Sequence, residues 1–141
     1  MSQSTKYTSR EGLLTCTPRE VFEFASDIRN FTNLVPENTI TVSDLTVDSC
    51  CFNIVPLGNI KVRLSKKVPY SEVVYSAELL NIQDLSLDLR INGREAEKAK
   101  VVITVNAGMN PFMKMMAEKH IIRLLETLIS EMENFRGWHK S

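Results

Sequence analysis

The spacing of apolar residues changes twice along this chain, and each change marks a different kind of structure. In residues 17–36 apolar side chains recur at helical spacing. Within "TPREVFEFAS", Thr17 can accept the first amide hydrogen bonds, Pro18 suits the first helical position and Glu20 completes a capping box. Val21, Phe22, Phe24 and Ala25 form the apolar face of a short helix ending near Ser26. "DIRNFTNLVP" reads as a second short helix: Asp27 can cap it, Ile28, Phe31, Leu34 and Val35 share one side, and Pro36 closes it.

From residue 38 to residue 107 the period becomes two, the repeat of a half-buried strand. "NTITVSDLTV" and "SCCFNIV" read as strands around a turn near Asp48. "GNIKVRLSKKV" sets Ile60, Val62 and Leu64 against Lys61, Arg63 and Ser65, and "SEVVYSAELL" puts Val73, Tyr75, Ala77 and Leu79 on one side. "DLSLDLRI" alternates Leu85, Leu87, Leu89 and Ile91 with polar residues, and "KAKVVITVNA" does so with Ala99, Val101, Ile103 and Val105. Pro56, Gly58, Pro69 and "NIQD" fall between runs, and Asn92-Gly93 predicts a type I′ hairpin. The short connections predict antiparallel neighbours. "TKYTSREGLLT", before the first helix, is a further strand candidate.

The helical period returns after Asn110, a fitting N-cap, with Pro111 next and Gly137 where the helix should stop. About 25 residues at 1.5 Å each make a helix of about 37 Å. Its apolar stripe runs through Met113, Met116, Ala117, His120, Ile121, Leu124, Leu125, Leu128, Met132 and Phe135. Lys114, Glu118, Lys119, Arg123, Glu126, Ser130 and Glu133 take the other face. Four of the six methionines crowd its first turns: Met109, Met113, Met115 and Met116. Thioethers adapt to irregular apolar shapes, so this end touches core, a membrane, a partner or a bound molecule.

Composition narrows the function more by exclusion than by choice. The 141 residues fit a single domain spanning 1–141. Seventeen basic and seventeen acidic residues balance, so no general field draws nucleic acid or anionic lipid. No apolar run reaches the roughly 18 residues of a membrane span. The N-terminal segment "MSQSTKYTSREG" is polar, which makes the cytoplasm the expected location. Cys16, Cys50 and Cys51 read as reduced, inert thiols, with the adjacent pair pointing to opposite faces of a strand. Only His120 and His139 offer imidazoles, far apart in the chain, so neither a metal nor another cofactor is expected.

The order of elements, and "TPREVFEFASDIRNFTNLVP" within it, resembles the START-like (SRPBCC) superfamily of polyketide cyclases and lipid-transport proteins. The match is to the family's helix pair of Pro, Val-Phe/Trp, Asp and Pro. "PLGNIKVRLSKKVP" is similar to relatives of an accessory protein of carbon monoxide dehydrogenase. The resemblance covers nearly the whole chain and implies an α+β helix-grip fold. In it, a curved antiparallel sheet of about seven strands wraps a long C-terminal helix, with two short helices after the first strand. It also implies a cavity between sheet and helix for a hydrophobic small molecule such as a lipid, quinone, polyketide or sterol.

On that layout the cavity-lining candidates are Phe31, Leu34, Val62, Tyr75, Leu87, Leu89, Val101, Ile103, Met113, Met116, His120 and Leu124. Phe31, Leu34 and Val35 would face Phe112, Met113 and Met116. Tyr75 and His120 are the only polar tips on inward faces. They could form an acid–base pair if they meet, and the plainer reading makes each a core residue with one satisfied hydrogen bond. Glu78, Asp88, Arg63 and Arg90 fall on the solvated face. There is no G-x-S-x-G and no glycine-rich phosphate loop. Three functions therefore stand in order: binding or transport of an apolar molecule, a cyclase or dehydratase, and a protein-interaction module such as an assembly factor or co-chaperone. Monomer and homodimer are both open, as is transient membrane contact; Met115, off the main stripe beside Lys114 and Lys119, would touch the other side of the cavity mouth, a partner subunit or a membrane.

Overall fold

The period-two segments form one curved, unclosed antiparallel sheet. The structure, a computed structural model, describes the chain except residues 1–2, 34–39, 55–57, 80–81, 95–96, 136–137 and 139–141. The strands are β1 (Gln3–Thr8), β2 (Gly12–Leu13), β3 (Ile40–Ser43), β4 (Ser49–Ile54), β5 (Gly58–Val68), β6 (Glu72–Leu79), β7 (Ile82–Asn92) and β8 (Lys100–Met109). Their order is β1-β8-β7-β6-β5-β4-β3, with β2 also pairing to β8. The "TKYTSREGLLT" candidate is thus two strands on one neighbour. They part where Ser9 intervenes: its Oγ accepts the Ile103 amide at 2.9 Å and its own amide donates to the Ile103 carbonyl at 2.8 Å.

Helix α1 (Pro18–Ala25) carries the expected capping box. The Thr17 hydroxyl accepts from the Glu20 amide at 3.3 Å, and Glu20 accepts from the Thr17 amide at 2.9 Å. The second short helix is a 3-10 helix, Ile28–Asn33. Its polar residues take backbone groups for themselves: Asp27 accepts the Arg29 amide and Asn30 donates to the Phe24 carbonyl, both at 3.0 Å. Leu34, Val35 and Pro36 lie outside the described residues.

Two turns differ from expectation. Asn92 pairs with Lys100, so the connection runs over 93–99 and is not a two-residue hairpin. The segment leading to α1 claims the groups a tight turn would need. Leu14 donates to the Ala99 carbonyl at 2.9 Å and Ala99 to the Cys16 carbonyl at 2.7 Å. Gly93 has φ +133°, and a Cβ there would sit 3.2 Å from Pro18 Cγ, so glycine suits the position twice over. In "NIQD", Ile82 is already in β7, buried and paired with Leu79; the ladder is irregular between Gln83 and Ser86, with Asp84 at φ +51°.

Helix α2 (Pro111–Asn134, 24 residues) begins at Asn110, whose Oδ1 accepts the Met113 amide at 2.8 Å. It packs on β8, β2 and β1. Its buried line is Ala117, Ile121, Leu125, Leu128, Ile129 and Met132, turned from the expected stripe toward Ile129. The missing side chain at Gly12 makes the room: a Cβ there would meet Ile129 Cγ2 at 3.0 Å. One flank of the helix is fastened to the β1–β2 region. Tyr7 donates to Glu118 at 2.9 Å, and Arg10 donates to Glu126 at 3.2 Å, Ser130 at 3.3 Å and Glu133 at 2.7 Å. Beyond the helix, Trp138 is buried against Phe24 and Phe135, with ring centroids 4.9 Å from each. Its indole donates to Thr15 at 3.1 Å, and Thr15 donates to the Phe135 carbonyl at 3.2 Å. Gly137, the expected stop, lies outside the described residues.

Candidate functional site

The concave face of the sheet is built from cross-strand rows of inward side chains, and burial on β5–β7 falls over three successive rows before Leu79 and Ile82, beyond them, are buried again. Val73, Leu89 and Ile103 pair across β6, β7 and β8, and each is at most 1% exposed. The next row is Leu64, Tyr75, Leu87 and Val105, in which Leu64 and Leu87 are only half-buried. In the row after that, Val62, Ala77 and Leu85 are all half-buried, beside a buried Cys50. Phe52 and Ile60 continue the half-buried run on β4 and β5.

Cover explains the gradient. The first row lies under α1 and the C-terminal half of α2, where Phe24, Ile129, Met132 and Trp138 are buried. The N-terminal half of α2 passes over the other end, held from the β1 side by Tyr7 on Glu118. At 3.6 residues per turn, the opposite flank carries Met113, Met116, His120 and Leu124 at i, i+3 and i+4 spacings. That flank looks toward the β7–β4 side of the strand order. Met113, His120 and Leu124 are half-buried and Met116 is 51% exposed. The half-buried rows and this flank make up a half-wet apolar region at the edge of the core, called the trough below.

The residues singled out from sequence divide accordingly. Val62, Leu87, Met113, His120 and Leu124 border the trough, with Met116 at its rim. Leu89, Val101 and Ile103 sit in the sealed core. Phe31 lies in the 3-10 helix with its side chain outside the described part, and Leu34 lies outside it altogether. Phe112 is exposed, and the 3-10 helix packs on α1 and β4. Leu64 and Leu85 were readable as inward by alternation. What alternation could not tell is which end of the sheet the helices leave uncovered.

Tyr75 does not meet His120 through a hydrogen bond among the described residues. Its hydroxyl donates to the Ala25 carbonyl at the C-terminal end of α1, and burial raises its pKa well above 10, so it stays a neutral phenol that ties β6 to α1. Burial likewise pushes the Cys16 thiol to about 12 and the Cys50 thiol to about 11, leaving both protonated at neutral pH. Among the described residues no three His, Cys, Asp or Glu side chains gather as a metal site. On the convex face, Asp88 departs from the solvated role expected of it. Its side chain is only 17% exposed, and its Oδ1 is buried without a hydrogen-bond partner among the described residues. Burial first, then the neighbouring Glu72 carboxylate, raises its pKa; the hydrogen bond with Asp88 holds that of Glu72 down.

Two shallow depressions are present, the first away from the trough and the second reaching Ile60 and Ala77 of its rows. One of about 560 Å³ runs along the outward side of α2 by Lys119, Ile122 and Arg123; the other, of about 450 Å³, is bordered by Cys51, Lys61 and Glu78. Among the described residues no helix is long and apolar enough to cross a membrane.

No family model and no curated protein matches the chain. Solved structures do. Norcoclaurine synthase from Thalictrum flavum, in complex with dopamine and hydroxybenzaldehyde, is similar with a TM-score of 0.74 at 10% identity, over 99% of this chain and 90% of that one. A START superfamily protein from Mycobacterium smegmatis gives 0.63 at 10% identity, over 93% and 97%. The Aha1 dimer structure from Colwellia psychrerythraea gives 0.58 at 13% identity, over 92% and 96%. At such identities the likeness is one of architecture. With a curved antiparallel meander, a short helix after the first strands and a long C-terminal helix laid across it, this chain has the START-like helix-grip fold.

Proposed function

We propose that the protein binds an apolar small molecule, of the lipid, quinone or polyketide class, in the trough between α2 and strands β4–β7. The observation that carries this reading is the burial gradient. One end of the concave face is sealed by α1, Trp138 and α2, while the other keeps Val62, Leu64, Leu85 and Leu87 half-buried beneath a flank with Met113 and Met116. Apolar side chains left half-wet over contiguous rows gain from a molecule that covers them. Burying about 500 Å² of apolar surface, ligand and trough together, stabilises a complex by about 12 kcal/mol. About 4 kcal/mol of lost freedom leaves about 8 kcal/mol, a micromolar site. Methionine at the rim lets the mouth adapt to several outlines.

Binding fits the geometry better than acid–base chemistry, because the Tyr75 hydroxyl is committed to the Ala25 carbonyl and held neutral by burial. Norcoclaurine synthase, of the same architecture, holds small aromatic molecules in its complex, which supports a ligand role for the fold. The test is a fluorescence titration with N-phenyl-1-naphthylamine. Saturable binding near one probe per chain is expected; emission that rises without saturation overturns the proposal.

A further inference from the structure

The outward face at the start of α2 carries large apolar side chains that the trough does not use. Phe112 is 69% exposed, Met115 80% and Ile122 54%. At 100° per residue these three share the side of the helix that faces away from the sheet, with Lys119 and Arg123 among them. The charged residues of this stretch are Lys114, Glu118, Lys119 and Arg123. Glu118 is turned to the β1 flank by Tyr7, so the outward face presents exposed cations between exposed apolar groups. The chain as a whole is neutral, which makes this a local concentration of positive charge. The depression of about 560 Å³ beside Lys119, Ile122 and Arg123 lies on the same side and also touches Glu126, which Arg10 holds, and Glu131.

We propose that this face docks on the surface of an anionic phospholipid bilayer. Phe112, Met115 and Ile122 would enter the headgroup–acyl boundary, with Lys119 and Arg123 against lipid phosphates. Charge complementarity selects this occupant. An amphipathic helix with basic residues beside bulky apolar ones gains both from apolar burial and from a negative surface. A second copy would bring a patch of the same sign against it. The inference does not rest on the trough, since it uses the other side of the helix.

The experiment is co-sedimentation of the full chain with vesicles of phosphatidylcholine containing about a third phosphatidylglycerol, set against pure phosphatidylcholine. Binding to the first, little to the second, and weakening as salt rises are expected. Phe112→Ser with Met115→Ser, and Lys119→Glu with Arg123→Glu, should each lower the vesicle partition coefficient by about tenfold or more. Both pairs should leave the melting temperature and naphthylamine binding unchanged, while Leu85→Asp should lose the probe and keep the vesicles. Equal partition of wild type and both variants, or none for wild type, overturns the proposal. A patch that instead holds two chains together, seen as loss of a dimer on Phe112→Ser with Met115→Ser and no vesicle binding, overturns it too.

Discussion

The two ends of the concave face use the same residue types to opposite effect. At one end Val73, Leu89 and Ile103 are covered by α1 and the C-terminal half of α2, and an aromatic trio of Phe24, Phe135 and Trp138 closes the rest. At the other, Val62, Leu85 and Leu87 belong to equally regular rows of the same sheet but remain half-wet. The strands are alike; the covering differs. A residue's apolar character thus states which face it is on, and the cover decides whether it is core or binding surface.

Leu89→Asp should have the largest effect. It places a carboxylate in a row with no partner, at a cost of several kcal/mol, enough to prevent a cooperative urea transition. Trp138→Ala should follow, at about 3–5 kcal/mol, because it empties the aromatic trio and frees the Thr15 hydroxyl. A melt as stable as wild type would show that the chain's end does not close this region. Leu85→Asp, in the open row, should cost only about 1–2 kcal/mol, since its carboxylate can reach water. Equal losses for Leu85→Asp and Leu89→Asp would erase the distinction between the ends.

On the convex face, Asp88→Asn should stabilise slightly, by less than about 1 kcal/mol at pH 7. The pKa of Asp88 is raised above 3.8, so its favourable contribution is present below that value and lost as pH rises through the folded pKa. Glu72, lowered from 4.5, behaves oppositely: its contribution is present above that value and lost as pH falls through the folded pKa. The gain from Asp88→Asn in calorimetry should therefore shrink between pH 7 and pH 4. Met116→Lys, at the rim, should change the melting temperature least, by the equivalent of under about 0.5 kcal/mol, because the side chain is half exposed and the new ammonium stays wet. Collapse of that variant would place Met116 in the core.

Local chemistry was legible in the sequence. The Thr17–Glu20 capping box, the Asn110 cap and the inward alternation of Leu85, Leu87, Leu89 and Ile91 are each decided within a few residues, and the structure holds them as read. What escaped depends on partners distant in the chain. Ile129 is core because Gly12 leaves it room, and Asn92-Gly93 opens into a longer connection because residues 14–16 claim Ala99. Trp138 is buried because Thr15 and Phe24 receive it. The site divides along the same line. Inward-facing residues were readable, but the uncovered end was not, since α2's orientation is set by Tyr7, Arg10 and Gly12.

The central claim is that the half-wet rows bind and the sealed rows only support. It is tested most directly by naphthylamine titration of two variants with comparable cost in stability, Leu85→Asp and Ile103→Val, the latter costing about 0.5–1.5 kcal/mol. The account predicts that Leu85→Asp weakens the probe by more than about tenfold, or about 1.4 kcal/mol, while Ile103→Val shifts it by less than about twofold. Parallel losses in the two variants, or a larger loss in Ile103→Val, would contradict it.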